Sequence, residues 1–304
     1  MLKLSGMLRY AAVAAAFSIL LLAQPAALRA DSLTAGGKTI RFDVPAGYVE
    51  ADSSIYGEVI SRITNALPQD MTLHSFYVEK GVDRKFRNGD TDYLEEYLMV
   101  ASLGQVTRRD LSLSDFREFS DYLVNNQGGL FSEEVAAKAR KAVEDATDGE
   151  IQLGNITSLG CFGITDASIS YLAIMQQEVL TGEGTRMSMD QAVIMNTLLV
   201  EGKMLHINQY RTITDPDQAL KFKDDSPAIV KSMNFKLGVS SGRSSSGAAP
   251  VSSLPRVERT EDSFRSFGRQ AGQFIVAVLA AGGIGYFMRK RKKGKPGKND
   301  GKQE

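Results

Sequence analysis

QAVIMNTLLVEGKMLHINQYRTI, residues 191–213, decides the fold class of this chain. Two strand-like runs, 191–200 and 203–213, flank Glu201-Gly202, and a two-residue connection between such runs is a tight hairpin turn. Upstream, 151–161 and 168–179 have the same strand character, and 180–187 (LTGEGTRM) reads as a mobile loop leading into the hairpin. Downstream, Thr214-Asp215-Pro216 opens a helix through Ile229 and Met233, since Asp caps well and Pro suits a first helical turn.

Toward the N-terminus the apolar period alternates between two and about 3.6. Residues 38–44 (KTIRFDV) alternate and stop at Pro45-Ala46-Gly47, a strand entering a turn. Asp52 and Ser53 precede Ile55, Val59, Ile63 and Leu67, a helical spacing closed by Pro68. Residues 71–78 and 93–103 read as strands separated by a charged loop at 79–90 (EKGVDRKFRNGD). Ser114 can cap a helix bearing Phe116, Phe119, Tyr122 and Leu123. After a break at 125–129, Ser132 can cap another, with Val135, Ala139 and Val143 inward and Glu133 and Glu134 at its positive end. This order implies an α+β fold, a mixed or antiparallel sheet with flanking helices in an α/β/α sandwich.

Three local features resemble the Mog1/PsbP-like group, which includes periplasmic DcrB-like domains. They are the strand entering Phe42-Asp43-Val44-Pro45-Ala46-Gly47-Tyr48, the strand followed by Leu111-Ser112-Leu113-Ser114-Asp115-Phe116 entering a helix, and the closing strands ending in a helix with Ile229-Val230-Lys231-Ser232-Met233-Asn234-Phe235. The resemblance covers 38–237 and departs at Tyr48, where that group often has Trp. It implies an α/β/α sandwich used as a binding or assembly module, and it carries over no catalytic residue.

Two apolar segments bracket the domain. Lys3 and Arg9, the apolar run 11–23, Pro25 and Ala27-Leu28-Arg29-Ala30 form an export signal, 1–30, with cleavage expected after Ala30. Leu28 is bulky for such a site, so an uncleaved anchor stays open. The exported domain is 31–237, followed by a Ser/Gly/Pro-rich linker and juxtamembrane stretch at 238–271, expected to act as a flexible tether. Residues 272–288 read as a C-terminal transmembrane helix, because Tyr286 and Phe287 suit an interface and Arg289, Lys290, Arg291, Lys292 and Lys293 follow at once. A buried helix of a soluble domain is the alternative, though core helices are rarely followed by five cations. Ala277, Ala281 and Gly285 share one helix face that would let a second copy approach as a homodimer.

Charge follows the same division. The chain holds 36 basic and 36 acidic residues, but the signal and the basic cytoplasmic tail, 289–304, are cationic, leaving 25 basic and 34 acidic residues between them, a net charge of −9. An acidic domain argues against nucleic-acid binding, whereas the tail suits the anionic lipids of an inner leaflet. The expected address is a single-pass inner (plasma) membrane protein with its N-terminal domain periplasmic and its C-terminus cytoplasmic.

No catalytic, cofactor-binding or metal-binding set is identifiable. The only histidines are His74 and His206; His206, between Leu205 and Ile207, should point away from both, with Met204 and Asn208. Cys161 is the single cysteine and lies in an apolar run, so it reads as a small buried core residue, and no internal disulfide can form. Glu95-Glu96, Glu133-Glu134 and Asp224-Asp225 are adjacent pairs whose members diverge and stay solvated. Arg84, Lys85 and Arg87 spoil 83–92 as a calcium loop, and 180–187 lacks the third glycine and lysine of a phosphate loop. The expectation is a membrane-tethered extracytoplasmic binding or assembly module; the alternative is an envelope hydrolase using Ser, Asp and His206.

Overall fold

The 191–213 stretch forms the hairpin at the heart of the sheet. In the computed structural model, which describes residues 30–91, 93–126, 132–180, 184–238, 275–276 and 278–284, strands β8 (Arg186–Val200) and β9 (Lys203–Ile213) pair antiparallel up to Val200 opposite Lys203. Glu201 and Gly202 both take positive φ, 50° and 83°, as a turn matched to right-handed strand twist requires. With β3 (Tyr48–Glu50), β4 (Met71–Glu79), β5 (Glu96–Leu103), β6 (Ile151–Thr165) and β7 (Ser168–Leu180), they form a seven-stranded sheet of order β3-β4-β5-β9-β8-β7-β6. Every neighbouring pair is antiparallel.

A separate hairpin, β1 (Ala30–Ala35) and β2 (Lys38–Asp43), packs on one face of the sheet beside α6 (Pro216–Ser232). Leu33, Ile40 and Phe42 bury against Leu98, Val100, Leu205 and Ile207 there. The other face is covered by α1 (Ser53–Ala66), α4 (Leu113–Asn125) and α5 (Glu133–Thr147), through Tyr56, Val59, Ile63, Phe116, Phe119, Ala139 and Val143. The sandwich is thus helix, sheet, then helix and hairpin.

Several boundaries differ from the sequence reading, each for a local reason. The charged stretch expected as a loop holds a helix, α2 (Lys80–Asn88), whose first turn is capped by the Glu79 side chain and whose end is Gly89 in the left-handed conformation. Val82 and Phe86, four apart, are its buried stripe. The cap of α4 is Ser112, not Ser114, in a reciprocal box with Asp115. β5 starts at Glu96, three residues later than expected, while β6 runs on to Thr165 and β8 begins at Arg186, beyond the spans expected for them. A one-turn helix, α3 (Gly104–Thr107), follows β5.

The segment expected to span a membrane is helical over its described residues, α7 (275–276 and 278–284), but it lies in the helical face of the sandwich. Ile275, Val278, Leu279, Ala280, Ala281 and Ile284 are all at most 3% exposed. No helix among the described residues is long and apolar enough to cross a membrane. Residues 1–29 of the expected signal, most of the linker and the basic tail lie outside the described residues, as do Ala277 and Gly285, whereas Ala30 opens β1 opposite Asp43.

Candidate functional site

Strand alternation puts Tyr97 of β5, Asn208 and Tyr210 of β9, Gln191 and Val193 of β8, and Met175 and Gln177 of β7 on the helical face of the sheet. Tyr97 and Tyr210 are directly opposite each other, and their rings stack at 4.5 Å between centroids. Phe76 stacks on the other side of Tyr97 at 5.4 Å. Together with Val143 of α5 and Leu153 of β6, these side chains line a groove holding α7.

The groove grips the helix by its backbone. Tyr97 Oη donates to the carbonyls of Ala281 (3.1 Å) and Gly282 (2.9 Å), and Tyr210 Oη donates to that of Val278 (3.0 Å). Gln177 Nε2 donates to Gln191 Oε1 at 2.9 Å and reaches Gly282 O at 3.4 Å. A helical carbonyl already bonded along the helix keeps a second lone pair, so these contacts need not unwind it. Burial pushes both phenols far above their ordinary range, so they act only as neutral donors or acceptors.

Fit is tightest at two glycines. A Cβ on Gly282 would stand 2.6 Å from Met175 Cε and 2.9 Å from Gln191 Oε1, and one on Gly283 would meet Val143 Cγ2 at 2.9 Å and Leu153 Cδ2 at 3.0 Å. The groove therefore selects a helix with small residues on the side facing β7, β8 and α5. On the same face of the sheet, Gln177 Oε1 and both amide atoms of Asn208 are buried with no hydrogen-bond partner among the described residues.

A second feature lies on the opposite face, at the β3 side of the sheet. Arg211 binds Glu96 with two nitrogens (2.7 and 3.1 Å) and Asp225 Oδ2 at 3.2 Å, while Tyr48 Oη donates to Glu96 Oε1 at 2.6 Å. The guanidinium sits 4.3 Å from the centre of the Phe222 ring. Burial, then the Glu96 charge, drives the Tyr48 phenol well above its ordinary range. Beside this network is an open cleft of about 380 Å³, bordered by Gly47, Glu79 and Ile229. The network is saturated by its own ion pairs, a structural clasp between β3, β5, β9 and α6.

The acidic pairs do diverge, but not all stay solvated. Glu95 pairs with exposed Lys85, whereas Glu96 turns inward to Arg211 with only 15% of its side chain exposed. Glu133 and Glu134 meet Arg140 and Lys138 at the surface.

The histidines are not brought together. His206 points with Asn208 and Tyr210, as alternation requires, and is fully buried beside Thr197 Oγ1 at 3.1 Å. Burial pulls its pKa down to about 3. His74 Nε2 lies 2.7 Å from Ser102 Oγ; Ser102 is one residue from Ala101, the cross-strand neighbour of His206, so the two imidazoles occupy opposite faces of the sheet. Burial lowers the His74 pKa too. Among the described residues no three His, Cys, Asp or Glu side chains gather as a metal ion would need. Cys161 is half-buried on the edge strand β6 rather than central, and burial pushes its thiol up to about 11. Such a thiol is a poor nucleophile at neutral pH.

Sequence reasoning missed Tyr97, Tyr210, Gln177 and Gln191. The one available signal was polar and phenolic side chains inside otherwise apolar strands.

No protein-family model matches the chain, and no curated protein sequence does. Solved structures similar to it include the following two. One is cyanobacterial PsbP (CyanoP) from Synechocystis sp. PCC 6803, at 14% identity and TM-score 0.34, covering 70% of this chain and 95% of its own. The other is the Ran-binding protein Mog1p of Saccharomyces cerevisiae, at 13% identity and TM-score 0.28, covering 68% and 95%. These fall in the group that the sequence resembles, and no site residue passes from them to this chain.

Proposed function

We propose that the protein is an exported binding or assembly module held at a membrane, working through recognition rather than turnover. The observation that carries this reading is the groove on the helical face, where Tyr97 and Tyr210 hold an apolar helix by its carbonyls. Buried neutral phenols are suited to gripping a polypeptide backbone. His206, the base of the alternative hydrolase reading, is enclosed, and burial holds its pKa down to about 3.

The sequence supports the address: an export signal at 1–30, and at 272–288 an apolar segment with five cations behind it. In the inserted state the partners would be the bilayer around 272–288 and anionic lipids at the tail. The small-residue face of Ala277, Ala281 and Gly285 would be free for a second copy only in that state, since docking buries Ala281.

Protease added to intact spheroplasts should digest the domain while sparing cytoplasmic markers. Survival of the domain would refute the address. Turnover of an ester or peptide substrate abolished by His206→Ala would refute the non-catalytic reading.

A further inference from the structure

The two edges of the seven-stranded sheet are built differently. An edge strand leaves a row of backbone N–H and C=O groups open to another chain, and proteins guard such rows with short strands, charged residues, proline or bulges. At one edge β3 is only 3 residues long. At the other, β6 runs for 15 residues and, among the described residues, pairs only with β7. Charged residues make up 24% of the chain, yet 151–165 (IQLGNITSLGCFGIT) holds none, and no proline. Leu159 and Ile164 stand 47% and 53% exposed on it. Arg140 Nη2 reaches the Gly154 carbonyl at 3.5 Å, too far to hold it against a strand partner.

Bulges are the one guard that β6 keeps, and their placement says what can pair with it. Its ladder with β7 takes up one extra residue at 154–155, another at Leu159 and a third at 163–164. The outer two lie equally far from Leu159 on either side. A regular strand from an unrelated protein falls out of register at each bulge, whereas an antiparallel copy of β6 centred on Leu159 sets every bulge against its equivalent.

We propose that β6 is a dimerisation edge, where a second copy of this chain adds its own β6 antiparallel about a two-fold axis at Leu159. Leu159 then meets Leu159 of the copy, Ile156 lies opposite Phe162 and Thr157 opposite Cys161, so apolar side chains pair across the axis and no like charges face each other. The two sheets join edge to edge, and the main-chain groups that β7 does not use find partners. This surface is separate from the α7 groove and does not depend on the address proposed above.

The test is sedimentation equilibrium of the full chain in lipid-free buffer, with Leu159→Lys beside it. The parent should dimerise in the micromolar range. Leu159→Lys alters an exposed position, so it should keep the parent's melting temperature, and by setting two cations face to face at the axis it should raise the dimer dissociation constant about tenfold or more. A second measurement reads the register and decides alone if the lysine variant does not fold. In a Cys161→Ser background, oxidised Leu159→Cys should form disulfide-linked dimers, because directly opposed residues bring their Cβ atoms within about 4.5–5.5 Å. Ile164→Cys, which lies opposite Gly154, should not. A parent that stays monomeric, a dimer that Leu159→Lys leaves intact, or crosslinking at 164 equal to that at 159 overturns the proposal.

Discussion

Burial of His206 removes it from acid–base chemistry and makes it a pH-sensitive contributor to stability. Its folded pKa of about 3 lies below the roughly 6.5 of an unfolded histidine, so between those values the unfolded chain binds a proton that the folded chain does not. Stability should therefore fall as pH drops through about 6.5, by up to about 1.4 kcal/mol per pH unit for this one group. His74, shifted in the same direction, adds to the effect. Replacing the ring by His206→Gln should flatten the melting temperature between about pH 6 and 4, and an unchanged slope would show that this imidazole is not the group responsible. At this scale the sequence was informative about direction but not depth. Alternation placed His206 with Asn208, yet enclosure by the helices on that face is what leaves it neutral. Glu96 makes the same point: adjacency to Glu95 predicted divergence, and Arg211, 115 positions away, decided that one of the two would be taken inward.

Among the elements, the β8–β9 hairpin was fully legible, because its turn depends on two neighbouring residues and its pairing on the alternation beside them. Gly202 holds φ at 83°, where a side chain is strained whatever space surrounds it. Gly202→Val should therefore cost about 1–3 kcal/mol, read as a lower urea midpoint with unchanged slope. A midpoint equal to that of the parent would mean that the turn relaxes without penalty. Helix α2 was illegible for the opposite reason. Its run of Arg and Lys hides two buried residues, Val82 and Phe86, and its cap is a glutamate, a less favoured cap type than Ser or Asp. The ends of β6 and β8, 162–165 and 186–190, extend past the expected strands as mostly exposed residues held by the ladder with β7.

For the whole molecule, the decisive fact is where the C-terminal apolar helix lies. Ile275, Val278, Leu279 and Ile284 are nearly or completely enclosed, and burying side chains of this size is worth about 1.5–3 kcal/mol each. A chain ending at Gly238 should keep a cooperative transition but melt at a lower temperature, and it should bind a hydrophobic dye that the full chain excludes. Equal stability of the two would show that the helical face closes without α7.

The local chemistry of the sequence was sufficient for the α+β class, the central hairpin and most helices, because propensity, capping and alternation act over a few residues. It was also sufficient to mark 272–288 as a segment that must leave water, since transfer of apolar surface depends on composition alone. Which apolar environment receives that segment is not a local property. Bilayer and protein groove offer the same escape from water, and only the assembled sheet, with two tyrosines facing the helix and no room beyond a hydrogen at Gly282 and Gly283, supplies the second.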